Sequence, residues 1–129
     1  MEFSQEKRAW AQVMKGKRFL DAFRGIRVVI ATTRHFVIHI LSAVLVLILG
    51  FYFKIAEFEW IALVFAIGFV VVAESFNTAI EIDIDLTSPD YHPFARDTKD
   101  VAAGAVLLSV FTAIIVGLII FIPKIFMLL

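Results

Sequence analysis

The chain has 129 residues, 12 basic and 12 acidic side chains, and a hydrophobic fraction of 61%. Soluble domains are only about 45–50% apolar, so this composition favours a protein embedded in a membrane. The absence of cysteine excludes disulfides, thiolate metal sites and cysteine nucleophiles. No internal repeat or low-complexity stretch interrupts the sequence, and we expect one integral-membrane domain over residues 1–129.

The N-terminal segment combines basic and apolar residues. Residues 1–35 hold eight of the twelve basic side chains. Within 13–34, apolar residues recur at mixed i+3 and i+4 spacing with Lys and Arg between them, which predicts an amphipathic helix lying on the inner leaflet. A solvated basic leader is the alternative. We expect no nucleic-acid partner, because the basic residues directly precede a membrane-length run.

Three apolar runs follow, each long enough, or nearly so, to cross a bilayer of roughly 30 Å. The predicted spans, extended at their polar ends, are residues 36–53, 60–85 and 97–122. A short turn joins the first two spans. A longer loop, about 86–98, joins the last two, because Pro89 and Pro93 each disfavour helix at the preceding residue.

The basic residues also predict the orientation of the chain. Cytoplasmic segments carry an excess of Lys and Arg, which places the N-terminus in the cytoplasm. Three spans then put the 54–59 turn outside and the 86–98 loop inside, where Arg96 and Lys99 lie. We therefore expect a multi-pass protein of the cytoplasmic membrane.

Four polar residues interrupt the end of the second span: Glu74, Asn77, Glu81 and Asp85. On a helix these positions fall within about 80° of one another, so they form a stripe on one face. A carboxylate at hydrocarbon depth costs about 2.5–3.5 kcal/mol on insertion scales, and such residues commonly mark functional sites. The sequence therefore predicts chemistry where this stripe meets the cytoplasm.

Two runs carry a resemblance to a known family. AESFNTAIEIDID (73–85) and DYHPFARDTKDVAAGAVL (90–107) resemble the small prokaryotic diacylglycerol kinases, a family that includes the undecaprenol kinases. The Phe19-x-x-Ala22-x-x-Gly25 pattern and the Phe36-x-x-His39 pair are similar as well. The resemblance covers roughly residues 16–122.

The resemblance implies an all-α membrane fold in which each chain has three transmembrane helices and an N-terminal surface helix. It also implies a homotrimer with active sites shared between neighbouring subunits, which use ATP and Mg²⁺ to phosphorylate a lipid alcohol. In that pattern Glu74 corresponds to the catalytic carboxylate and Glu81 to a metal ligand. The nucleotide-contacting positions are Asp90, Tyr91, His92, Lys99 and Asp100, and the supporting positions are Asn77, Asp85, Gly25 and Ala103.

General chemistry agrees with these roles. An alcohol is a poor nucleophile and gains from a carboxylate that orients it and accepts its proton, as Glu74 would. Mg²⁺ prefers one or two carboxylates together with phosphate oxygens, and Glu81 can supply one of them. Lys99 can neutralise the transferring phosphoryl group as a point charge.

Structural roles compete with these functional ones. Glu74 and Glu81 can form hydrogen bonds between helices, as Asn77 often does in membranes. Asp100 has the spacing to cap the third span together with Asp97.

Three further side chains also have interpretations that involve no ligand or catalysis. His92 can pack in the loop rather than touch a ligand, and His39, alone in an apolar run, is expected to be a buried packing residue. Asp83 projects away from the stripe.

One position departs from the family pattern. The family carries a second metal-binding Glu three residues before the Phe matched by Phe36, and here that residue is Thr33. Two interpretations remain open. Either Asp85 or Asp21 completes the metal site of a working kinase, or the protein keeps the fold with weakened activity and acts as a binding partner.

The resemblance favours undecaprenol as the substrate, because Lys99-Asp100 with the following Ala-Ala-Gly-Ala run, Tyr91-His92-Pro93 and His39 look more like the undecaprenol kinase branch. Diacylglycerol, which would give phosphatidic acid, is the alternative lipid. A trimeric ion-conducting subunit would explain intramembrane carboxylates but not the match in the nucleotide loop.

Overall fold

The computed structural model describes residues 18–128, and this part of the chain is helical except for short connections. It contains α1 (Arg18–Thr32), α2 (Arg34–Phe53), α3 (Glu57–Thr87) and α4 (Pro93–Phe126), and no strand within the described range. The last three helices are long and apolar enough to cross a membrane. The expected all-α fold with three membrane-length helices is thus confirmed.

Helix α1 turns most of its apolar side chains outward. Phe19 and Phe23 are exposed, as are Ile26 and Ile30, whereas Val29 is buried against the rest of the chain. An isolated soluble chain would not expose such a row, but a helix lying on a membrane does. The part of the predicted surface helix at 13–17 lies outside the described residues.

A single residue, Thr33, separates α1 from α2. Its N–H donates to the Val29 carbonyl at 3.2 Å, and its carbonyl accepts from the Phe36 N–H at 3.2 Å, so one helix ends and the next begins around it. Thr33 itself has an extended backbone (φ −111°, ψ 108°). Phe36 is 5% exposed and anchors this junction in the bundle.

The turn between α2 and α3 is tight. Lys54 adopts a left-handed conformation (φ 50°), and the Ile55 N–H donates to the Gly50 carbonyl at 3.2 Å, which closes the helix end. A Cβ at Gly50 would lie 2.7 Å from the Trp60 ring. Glycine at this position therefore lets α2 and α3 approach closely at their connected ends.

Helices α3 and α4 have 31 and 34 residues and make the most extensive helix contact in the described chain. At about 1.5 Å per residue both exceed the roughly 30 Å of hydrocarbon, so their ends reach beyond it.

Helix α4 begins at Pro93, four residues before the predicted start, because proline lacks only an N–H that the first helical turn leaves free. The Nδ1 of His92 accepts the Phe94 N–H at 3.3 Å and so caps the helix. From its spacing in the sequence, Asp100 was a candidate for this capping role. The connection between α3 and α4 is thus shorter than the expected 86–98 loop.

The apolar core lies near the α2–α3 turn. It consists of Ile55 and Leu63 with Ile120 and Phe121 of α4. An ion pair adjoins it: Lys124 Nζ lies 2.9 Å from Glu59 Oε1, while Glu59 Oε2 accepts the Ala56 N–H at 2.7 Å. One carboxylate therefore joins the start of α3 to the end of α4.

We predict that Glu59→Leu lowers the unfolding midpoint of the protein in detergent, because it leaves the Lys124 ammonium and the Ala56 N–H without their acceptor. Glu57→Leu is the matched control, since Glu57 is exposed in the same helical turn. Thermal unfolding followed by circular dichroism measures both. Equal midpoints for the two variants would contradict this role for the ion pair.

Candidate active site

A polar groove opens between α2, α3 and α4 at the end of the bundle opposite the apolar core. Its volume is about 430 Å³. Glu74, Asn77 and Glu81 of α3 line it, as the common helical face of these positions requires. The remaining lining side chains are His35, Ile38 and His39 of α2 and Ala103, Val106, Leu107 and Val110 of α4.

An apolar groove of about 280 Å³ continues from the polar groove toward the core. Both grooves share His39 and Val110, and Val70, one turn before Glu74, lines the apolar one. Small residues, including Ala66 and Gly117, leave the space open. The polar groups therefore lie beside a slot that could accept a hydrocarbon chain.

Glu74 is 3% exposed. Among residues 18–128, no side chain or backbone N–H donates to its carboxylate. The oxygens of this carboxylate are not fully enclosed, since Asn77 Oδ1 is the one enclosed polar side-chain atom without a partner in the described part of the chain. A group that enters the groove can therefore reach the Glu74 carboxylate. A substrate hydroxyl, a cation and a neighbouring subunit all have suitable chemistry.

Asn77 is oriented by Glu81. Its Nδ2 donates to Glu81 Oε1 at 3.0 Å, which turns the amide oxygen to the other side. That oxygen, Oδ1, is buried and has no donor within the described residues. An unpaired buried acceptor costs about 1–3 kcal/mol, and this oxygen is enclosed by the protein rather than open to the groove.

Thr33 lies beside the stripe, next to Thr78. Its hydroxyl is 3.0 Å from the Thr78 hydroxyl, and Thr78 is 3% exposed. The Thr78 hydroxyl donates in turn to the Glu74 carbonyl at 3.0 Å. The position at which the family pattern has a Glu thus adjoins the α3 stripe, although Thr33 does not line the groove.

Lys99 pairs with Asp85 at the outer end of the stripe. Asp85 is exposed and does not line the groove, and Asp21 lies exposed on α1. The two candidates for completing the metal site are therefore placed away from Glu74, and Asp85 already has a cation.

The described residues supply only part of a binding site for a divalent metal. Within residues 18–128 no group of three or more His, Asp or Glu side chains is close enough to hold an ion. Two carboxylates, Glu74 and Glu81, do line one groove. Mg²⁺ commonly takes one or two protein carboxylates and its remaining ligands from water and phosphate, so Glu81 could serve as one such ligand.

None of the five nucleotide candidates lines the groove. Asp90, Tyr91 and His92 are exposed in the α3–α4 connection, and the exposed Asp100 lies 3.9 Å from Arg96. Of the supporting positions, Ala103 lines the groove, and a Cβ at Gly25 would meet nothing within 4 Å.

Sequence reasoning missed two residues near the site and placed a third differently. His35 lines the groove one turn before His39, and Thr78 lies one turn after Glu74. The i,i+4 spacing on a shared face was the available signal for both. His39, expected to be a buried packing residue, is half-buried and borders both grooves.

The sequence signature described as "Prokaryotic diacylglycerol kinase" matches residues 21–121. The chain is 42% identical to an undecaprenol kinase of Bacillus subtilis (strain 168) over 108 residues, which are 84% of this chain and 88% of that protein.

Two diacylglycerol kinases are also similar. The chain is 37% identical over 100 residues to one from Synechocystis sp. (77% of this chain, 57% of the relative) and 33% identical over 79 residues to one from Helicobacter pylori (strain J99; 60% and 62%). It thus spans less than two thirds of each of these two proteins. From the signature and the Bacillus relative together, this chain belongs to the prokaryotic diacylglycerol kinase family.

Proposed function

We propose that this protein transfers the γ-phosphoryl group of ATP to a membrane lipid alcohol, with Glu74 as the catalytic carboxylate. The observation that carries the proposal is the Glu74 side chain, which is buried, lacks a donor within the described residues and lies where the polar groove meets the apolar one. A lipid whose chain occupies the apolar groove would bring its terminal hydroxyl to this carboxylate.

The reaction follows from this placement. The oxygen of the lipid hydroxyl attacks the γ-phosphorus of ATP, and Glu74 accepts the proton that this oxygen loses. The bond from the γ-phosphorus to the bridging oxygen breaks, and ADP leaves with that oxygen. The products are a lipid phosphate, ADP and a proton that Glu74 later releases. Asn77 orients Glu81, because its Nδ2 donates to Glu81 Oε1 at 3.0 Å.

Mg²⁺, when bound with ATP, would neutralise charge on the β- and γ-phosphates. Glu81, held by the Asn77 amide, is the carboxylate that we assign to it. The exposed Asp90, Tyr91 and His92 are assigned to the nucleotide, together with Lys99 and Asp100 at the start of α4. Lys99 lies at the same end of α3 as Glu81, where its charge can attract phosphate.

Undecaprenol is the lipid that we favour. The support comes from the Bacillus subtilis relative, whose name specifies that alcohol and of which this chain covers 88%. Diacylglycerol is the second candidate, because the other two relatives are named for it.

We propose a homotrimer whose active sites are completed by neighbouring subunits, with the N-terminus and the α3–α4 connection in the cytoplasm. One observation agrees with a site that a neighbouring subunit completes: the carboxylates within residues 18–128 do not form a metal cage by themselves. The basic N-terminal segment supports the orientation.

Glu74→Gln is expected to lower the rate of phosphate transfer by about 10²–10⁴-fold, because the amide cannot accept the alcohol proton. Transfer from labelled ATP to lipid in mixed micelles, with saturating Mg²⁺, measures the rate. Size-exclusion chromatography checks that the variant retains the oligomeric state of the parent protein.

Asp83→Asn is the matched control, because Asp83 lies on the same helix but is exposed and off the stripe. We expect it to keep nearly full activity. Retained activity in Glu74→Gln, or an equal loss in both variants, would contradict the role of Glu74.

Thr33→Glu is expected to lower the Mg²⁺ concentration at half-maximal rate, because position 33 adjoins the stripe and a carboxylate there adds a charge toward the metal. Thr33→Gln is the matched control, since it has the same length and also removes the hydroxyl. A Mg²⁺ titration of the transfer rate compares them. Identical midpoints for Glu and Gln would show that a charge at position 33 does not reach the metal.

A further inference from the structure

We propose that Thr33 is a positioning residue of the active site, which acts on the Glu74 turn of α3 through Thr78. The inference rests on the proposed function and adds a residue to it. We name the connected groups, the Thr33 hydroxyl, the Thr78 hydroxyl and the Glu74 carbonyl, the threonine link. It joins the α1–α2 junction to the helical turn that carries the catalytic carboxylate.

The direction of the hydrogen bonds in the threonine link follows from the number of protons. A carbonyl oxygen only accepts, so the single hydroxyl proton of Thr78 is donated to the Glu74 carbonyl at 3.0 Å. Thr78 must therefore accept from Thr33, whose hydroxyl lies 3.0 Å away. Only a side chain with a donor at position 33 satisfies this arrangement.

Helix capping does not account for Thr33. It occupies the N-cap of α2, where a threonine hydroxyl ordinarily accepts an N–H of the first helical turn. Here the side chain makes no such cap bond and is aimed across to α3 instead. The neighbouring Thr32 behaves differently, because its hydroxyl donates to the Val28 carbonyl within its own helix at 2.7 Å.

The threonine link can affect catalysis because it ends on the backbone of Glu74. Thr33 is the one non-helical residue between α1 and α2, so it is the point at which α1 can change its angle. Thr78 and Glu74 are both 3% exposed and one turn apart, so a shift of Thr78 displaces buried backbone at Glu74. The α3–α4 connection lies elsewhere, and ATP binding should change little.

The first test is kinetic. Thr33→Val keeps the shape of the side chain and removes the hydroxyl, and we expect kcat to fall about tenfold, since small displacements of a catalytic group have effects of this order. The KM for ATP should stay within about twofold, because the nucleotide positions are not displaced. Thr33→Ser should restore kcat, and Thr32→Val, which removes the adjacent hydroxyl, should match the parent protein.

A double variant tests whether the two threonines act together. Thr78→Val should reduce kcat at least as much as Thr33→Val, and the Thr33→Val/Thr78→Val pair should be no worse than Thr78→Val alone. Independent, multiplying losses would overturn the proposal, as would a Thr33→Ser variant as slow as Thr33→Val.

The second test does not depend on activity. The sequence has no cysteine, so Arg24→Cys on α1 and Leu86→Cys on α3 accept spin labels at these two sites alone. Both residues are exposed. The distance between the two spin labels is measured after dilution with unlabelled protein. Its distribution should broaden in Thr33→Val and Thr78→Val but not in Thr32→Val.

Unchanged distances in Thr33→Val would overturn the threonine link even if kcat fell. A parent protein that transfers no phosphate to any lipid would instead count against the proposed function. The label distances would then still decide whether Thr33 and Thr78 hold the junction.

Discussion

The polar stripe on α3 is the constraint on which the rest of the structure depends. Each carboxylate at hydrocarbon depth costs about 2.5–3.5 kcal/mol, and the helical backbone gives it no way to turn aside. Three carboxylates of the stripe have different surroundings. Asp85 is exposed and pairs with Lys99, and Glu81 accepts from Asn77. Glu74 is 3% exposed, lines the groove and has no donor among the described residues. The deepest carboxylate is therefore the one whose environment a substrate would complete.

The two ends of the bundle differ in the kind of side chain that they enclose. Near the α2–α3 turn the helices close on an apolar core, and Glu59 joins Lys124 to the start of α3. At the other end α2, α3 and α4 line the polar groove, and the buried Asn77 Oδ1 remains unpaired within the described residues. A helical pair fixed at one end can leave the other end open without losing the fold.

Periodicity and composition predicted the membrane-length helices and the shared face of Glu74, Asn77 and Glu81, because both are local properties of one helix. The predicted 86–98 loop was too long, since α3 continues to Thr87 and Pro93 occupies the first turn of α4. The Lys99–Asp85 pair and the Thr33–Thr78 contact, 14 and 45 residues apart, depend on how helices pack. No pattern within a single helix contains that information.

The measurement that tests the account most directly is phosphate transfer from γ-labelled ATP by the purified protein in mixed micelles containing Mg²⁺. Undecaprenol and diacylglycerol are supplied in parallel, and Glu74→Gln is the blank. The account predicts labelled lipid phosphate from the parent protein, faster with undecaprenol, and almost none from the variant. A folded protein that binds ATP but labels neither lipid, or labels both equally well without Glu74, would contradict it.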